Sequence, residues 1–188
     1  MSAASMSEPQ PLEVYLNDHL GGATGACEIA RNAVDKLAAS PHRNFMSEFQ
    51  RQVDEDRATL EQMITAVGGS PNPVKQAGAW LMEKLSRIKL SPGGLGSEEM
   101  SALLTIETLC IGVEGKICLW VALQEIAGDI PELNAFDFGE LLNRAKSQRA
   151  GLEKERLVAA RAALMPTVGV GRYAAGAGDA GCAGLPSR

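Results

Sequence analysis

Histidine, a common metal ligand, and the aromatic residues that stack on nucleic-acid bases are scarce in this sequence. Among its 188 residues are two histidines, and aromatic residues make up 4%. The four cysteines, Cys27, Cys110, Cys118 and Cys182, are widely spaced and include no C-x-x-C pair, so neither a zinc site nor a redox-active dithiol is indicated. We expect them to be reduced thiols, because three of them lie in apolar patterns of helical spacing.

Clusters of positive charge are also missing. The chain has 18 basic and 23 acidic residues and a net charge of -5. Because proteins neutralise nucleic-acid phosphates with clustered Lys and Arg, we expect no nucleic-acid partner. Residues 1–11 lack the charged-then-apolar order of a secretory signal, so we expect a cytoplasmic protein.

The sequence has no long apolar run free of charge. Its most apolar segment, 97–127, contains Glu107, Glu114 and Lys116, each of which would cost roughly 2.5–3.5 kcal/mol at the centre of a bilayer. We therefore expect no membrane span. The apolar residues of this segment instead recur at alternating steps of three and four, which predicts the central helix of a bundle. These residues are Leu103, Ile106, Cys110, Val113, Ile117 and Trp120.

The same spacing predicts three further long helices, over 12–39, 41–67 and 137–165, and a shorter one over 73–90. Gly68 and Gly69 end the second helix, and Asp137 with Glu140 three residues later forms a capping box at the start of the last. The apolar seams of the first two helices match over seven layers, and those of the last two match over six. This agreement predicts two antiparallel hairpins.

The sequence divides into three parts. Residues 12–165 form the predicted helical domain, residues 1–11 a flexible N-terminus, and residues 166–188 a Gly- and Ala-rich tail without periodicity that we expect to be disordered. About thirty residues, 67–97, separate the two hairpins. That length is far more than a tight turn needs, so we expect a crossover along the bundle, with the second and third core helices parallel.

This order of helices, with YLNDHL at positions 15–20 opening the first helix, resembles the ferritin-like superfamily. Over residues 12–165 the chain looks most like small bacterial members of unassigned activity. The resemblance implies an all-α, ferritin-like four-helix bundle in which two antiparallel hairpins are joined by a long crossover that contains a short extra helix.

Many ferritin-like proteins bind two metal ions with a Glu from each of two helices and a Glu-x-x-His from each of the other two. No Glu-x-x-His occurs in this chain. At the corresponding spacing the glutamates of the second and last helices are followed by other residues, as in Glu48-x-x-Arg51 and Glu140-x-x-Asn143. We therefore expect a non-catalytic binding or structural module with no cofactor. The alternative is a metal-binding protein or metalloenzyme, an oxidoreductase with iron or manganese at an atypical carboxylate site.

If the two hairpins are packed together with their ends level, two carboxylates, Asp56 and Glu155, are predicted to face the middle of the bundle. A buried carboxylate must find a donor or stay protonated. We expect a buried polar network, formed by Asp56, Gln148, Arg149, Glu155 and Arg156. In the alternative, a metal ion would bind Asp56 and Glu155, together with Cys27, Cys110 or His19. As a lone histidine, His19 is expected to be a hydrogen-bonded boundary residue.

One surface of the central helix is a candidate interface. Glu107, Gly112, Glu114 and Gly115 are expected to share its outer face, where small residues permit close packing. We expect the short helix around Trp80 to cover this face. A second subunit, forming a homodimer, is the alternative.

Overall fold

The computed structural model describes residues 10–36, 43–72 and 98–165. Within these ranges the protein is all-α, as predicted, with four long helices: α1 (Pro11–Lys36), α2 (Arg43–Ala66), α3 (Glu98–Ile126) and α4 (Phe138–Leu164). The predicted short helix over 73–90, the tail from residue 166 and most of the N-terminal segment lie outside the described residues. In the part of the chain that is described, no helix combines the length and apolarity needed to cross a membrane.

The helix ends follow local sequence rules. Gly68 adopts a left-handed conformation with φ +81, and its backbone N–H, like that of Gly69, donates to a carbonyl in the last turn of α2. Glycine is favoured there because it has no Cβ to clash. At the start of α4, the Asp137 carboxylate accepts a hydrogen bond of 2.9 Å from the backbone N–H of Glu140. Both predicted boundaries are confirmed.

Two short 3-10 segments, Ala127–Asp129 and Pro131–Ala135, join α3 to α4. Pro131 occupies the first turn of the second segment, where its missing N–H costs nothing. Leu133 in that segment is fully buried and packs with α1, α2 and α4. The connection therefore closes one end of the core.

The core consists of two hydrophobic clusters, and their membership gives the direction of each helix. One cluster joins the C-terminal half of α1 to the N-terminal halves of α2 and α3 and the C-terminal half of α4. The other joins the opposite halves. Thus α1 and α4 run in one direction and α2 and α3 in the other. The parallel orientation predicted for the second and third core helices agrees with this arrangement.

Polar contacts between the helices confirm the predicted register of the second hairpin to within two residues. The sequence places Ile117 opposite Gln148, and in the structure the neighbouring Lys116 donates to the Gln148 side chain. One face of α3 therefore packs against α4. The flank of α3 that bears Gly112 approaches Ala26 of α1.

Candidate ligand-binding cavity

The Asp56 carboxylate, on α2, is the centre of a buried polar cluster. Its side chain is 5% exposed, and both of its oxygens accept hydrogen bonds from other helices. Lys116 of α3 donates to Oδ2 at 2.5 Å, and Gln148 of α4 donates to the same oxygen at 3.1 Å. Arg144 of α4 donates to Oδ1 through Nε at 2.8 Å and through its terminal nitrogen at 2.5 Å. We call these four residues the Asp56 cluster.

Helix geometry explains why these residues meet. Arg144 and Gln148 are four residues apart, so they lie on one face of α4, which is turned towards α2. Lys116 is the only basic residue of α3, and its long aliphatic stem lets the ammonium group reach Asp56 from a largely apolar helix. Because a buried carboxylate is costly without donors, saturation of both oxygens accounts for its position.

The structure corrects the predicted membership of this network. Asp56 and Gln148 belong to it, whereas Arg149 and Arg156 do not. These two arginines bind Glu153 between them, and they also pair with Glu114 and Glu107 of α3, respectively. Successive residues are about 100° apart around a helix, so Arg149 is turned away from the face that carries Gln148 and towards α3.

Glu155 does not join Asp56 either. Along α4 it lies seven residues beyond Gln148, which is about 10 Å along the helix axis. Relative to α2, α4 is displaced along the bundle by about one turn from the predicted depth. This displacement separates Asp56 from Glu155, the two carboxylates that the metal-site alternative requires. The Asp56 oxygens are instead occupied by Lys116 and Arg144.

The thiols and the histidine of that alternative have other surroundings. Cys27 donates to the backbone carbonyl of Val53 at 3.6 Å, and burial, with help from Asp54, raises its pKa to about 12. Burial likewise raises the pKa of Cys110. Both thiols therefore stay protonated at neutral pH, a form that does not coordinate metals well. The described ranges contain no group of three or more His, Cys, Asp or Glu side chains placed to share a metal ion.

His19 packs edge-on against Tyr15, with ring centroids 4.6 Å apart and planes at 68°. Burial lowers its pKa, and this effect outweighs the opposite influence of Asp18. The imidazole is therefore neutral at pH 7. His19 is half-buried, as expected of a boundary residue, and it also lines a cavity.

That cavity, of about 250 Å³, lies between α1, α2 and α3. Small residues on two facing helices create the space, because they fill little of the volume between the backbones. Those on α1 are Gly22, Ala23 and Ala26, and those on α3 are Gly112 and Gly115. A methyl group built on Gly112 would lie 3.9 Å from the Cβ of Ala26, and one built on Gly115 would meet nothing within 4 Å.

These positions divide the residues of the candidate interface between two sides of α3. Gly112 and Gly115 line the cavity beside α1, whereas Glu107 and Glu114 pair with arginines of α4. Gly112 follows Glu107 by five residues and so lies about 140° away around the helix. The four residues do not share one outer face.

The polar wall of the cavity includes part of the Asp56 cluster. Lys116 and Asp56 both line it, as does the buried Trp120. The indole Nε1 of Trp120 has no hydrogen-bond partner among the described residues. Asp18 and Ile111, which are exposed, mark the side nearer to solvent. A mainly apolar pocket with a few polar groups is the usual form of a small-molecule site.

The sequence contains two signals for this site that the periodicity of apolar residues does not reveal. Lys116 adjoins the seam residue Ile117, and a lone cation in an apolar helix needs a buried anion. Arg144 lies one turn before Gln148, which the apolar periodicity already predicts to face the core.

Comparisons of the chain with family models, curated proteins and solved structures found no match.

Proposed function

We propose that this protein is a non-catalytic module with a ferritin-like four-helix bundle, and that it binds a small molecule in the cavity between α1, α2 and α3. The observation that carries the proposal is a cavity of about 250 Å³ whose walls are mainly apolar, with small residues on α1 and α3, and whose polar end is the pair formed by Lys116 and Asp56. An engineered apolar cavity of about 150 Å³ binds benzene. The volume here suits a single ring with a polar substituent.

The fold assignment has separate support. Two antiparallel hairpins with α2 parallel to α3 require a long connection between the hairpins, and residues 67–97 supply the length. In a di-metal bundle, inward carboxylates would bind ions at mid-depth. Here the inward carboxylate is Asp56, and two cations already neutralise it. An iron or manganese site would have to displace both, so we do not propose one.

The test uses toluene as the probe and the full chain as the protein. At a toluene concentration of about five times the Kd, the expected stabilisation is about 1 kcal/mol, which raises Tm by about 2–4 °C for a chain of this size. Ligand-detected NMR, with toluene signals that broaden on binding, gives an independent readout.

Gly115→Leu is the variant that decides the test. Gly115 lines the cavity on α3, and a Cβ built there meets nothing within 4 Å, so we expect the leucine variant to fold and to abolish toluene binding. Gly128→Leu is the matched control, since Gly128 is exposed, has equal space and does not line the cavity. Binding that survives Gly115→Leu, or no binding to the unmodified chain, would contradict the proposed function.

A further inference from the structure

We propose that the ligand of this cavity is a small organic anion, a monocarboxylate with a compact apolar body, whose carboxylate group pairs with Lys116. The inference rests on the proposed function and adds the chemical class of the ligand. It is carried by the charge of the Asp56 cluster, by an ammonium donor left over at the cavity wall, and by the apolar character of the remaining wall.

The Asp56 cluster has one positive charge in excess. Asp56 is its single anion, and it faces two cations, Lys116 and Arg144, whose side chains are 14% and 25% exposed. Gln148 contributes no charge. An uncompensated cation in a largely desolvated position is unfavourable unless an anion neutralises it. An anionic ligand at the wall of the cavity would restore neutrality.

Other charged groups near the cavity do not supply that anion. Asp18 lines the cavity, but it is exposed, and its charge acts on His19. Lys116 responds to Asp56 and Arg144, and its pKa is lowered by burial despite the attraction of Asp56. Cys27, the remaining titratable neighbour, is held protonated by the burial that raises its pKa. The excess charge is thus not balanced by the described residues around it.

Lys116 also has a donor to spare. An ammonium group carries three N–H donors, and within the described residues two of them are used, by Asp56 Oδ2 and Gln148 Oε1. Since Lys116 lines the cavity, its third N–H is the natural partner for a ligand oxygen. A charge-assisted hydrogen bond of this kind is shorter and stronger than a neutral one.

The other walls determine the body of the ligand. Glycines and alanines on α1 and α3, with Val113 and Leu109, give an apolar surface. A volume of about 250 Å³ exceeds the 150 Å³ that holds benzene by enough to take a carboxylate as well. A ring or short branched chain with one carboxylate fits these limits, whereas a nucleotide or a peptide does not.

The experiment compares three probes of similar size on the full chain at pH 7, by isothermal titration calorimetry. Benzoate carries the charge, benzamide has the same shape without it, and toluene has no polar acceptor. We expect benzoate to bind at least about tenfold more tightly than benzamide, which is the usual value of one hydrogen bond to a charged group.

Lys116→Met tests the assigned partner. It removes the ammonium but keeps most of the stem, and Asp56 retains Arg144 and Gln148. We expect the preference for benzoate over benzamide to disappear while toluene still binds. Lys146→Met, at an exposed lysine of α4, is the matched control and should leave the preference unchanged. If Lys116→Met does not fold, Arg144→Gln makes the cluster neutral with the Lys116–Asp56 pair intact, and the preference should fall.

Each outcome decides between the two proposals. Binding of toluene without a preference for benzoate over benzamide overturns the anion inference and leaves the proposed function standing. A preference for benzoate that survives both Lys116→Met and Arg144→Gln also overturns it, since the charge is then recognised elsewhere. If toluene does not bind to the unmodified chain, the proposed function fails, and the inference, which rests on it, fails with it.

Discussion

Removing the Asp56 carboxylate tests the reasoning about the buried cluster most directly. Asp56→Ala leaves Lys116 and Arg144 facing each other without their shared anion, and both are largely desolvated. Breaking a buried ion pair by removing one partner typically costs about 3–5 kcal/mol, because an uncompensated charge remains. In a chain of this size 1 kcal/mol corresponds to about 2–4 °C in Tm. We therefore expect Tm to fall by about 6–20 °C.

The assay is urea unfolding followed by far-UV circular dichroism, with thermal unfolding as a second measurement. Glu55→Ala is the matched control. It removes a carboxylate from the next position of α2, where the side chain is 48% exposed and paired with Arg51 at the surface. Surface ion pairs contribute about 0–1 kcal/mol, so this variant should be nearly neutral.

The double variant Asp56→Ala with Lys116→Met separates the pair from the individual side chains. Once Asp56 is absent, removing the Lys116 charge relieves the remaining repulsion with Arg144. The double variant should therefore be more stable than Asp56→Ala alone, and a double-mutant cycle would give a coupling of about 1–3 kcal/mol. If Asp56→Ala cost no more than Glu55→Ala, the carboxylate would not be the buried centre described here.

Two further predictions concern α4 and the rim of the cavity. Gly151→Ala should destabilise the protein by about 1–3 kcal/mol in urea unfolding, because the new methyl would overlap the ring of Phe45; Gly115→Ala, in open space, should stabilise it by up to about 1 kcal/mol. Equal effects of the two alanines would disprove this packing. Burial lowers the pKa of His19, so below pH 6.5 the unfolded chain takes up a proton before the folded one and stability falls. The unfolding free energy of the unmodified chain, relative to that of His19→Gln, should therefore decrease from pH 8 to pH 5. A difference independent of pH would refute this.

Local signals predicted most of the fold. Gly68 and Asp137 set helix ends because a left-handed residue and a carboxylate cap act within one turn of backbone. The apolar residues of the α3 repeat are buried, and Ile117 partly so, because steps of three and four place them on one face, wherever the partner lies. The inward position of Asp56 also followed from this repeat.

The partners of Asp56 were harder to predict, because they depend on how the hairpins are placed relative to each other. A shift of about one helical turn, 5.4 Å, changes which residues of α4 lie opposite Asp56, and in the structure these are Gln148 and Arg144 rather than Glu155. Periodicity alone does not distinguish those two depths, since it repeats with every turn. The prediction of Arg149 and Arg156 as donors was wrong because both arginines are turned towards α3, where they pair with Glu114 and Glu107.

The sequence by itself thus determined the helices, their buried faces and the antiparallel pairing within each hairpin, since all three arise from residues close together in the chain or from one repeated spacing. Only the tertiary structure decided which cations surround Asp56 and where the small residues leave space. Both depend on the depth and rotation of helices from different hairpins. Those are settled by packing of the whole core, in which a cavity is the volume that no side chain from three helices reaches.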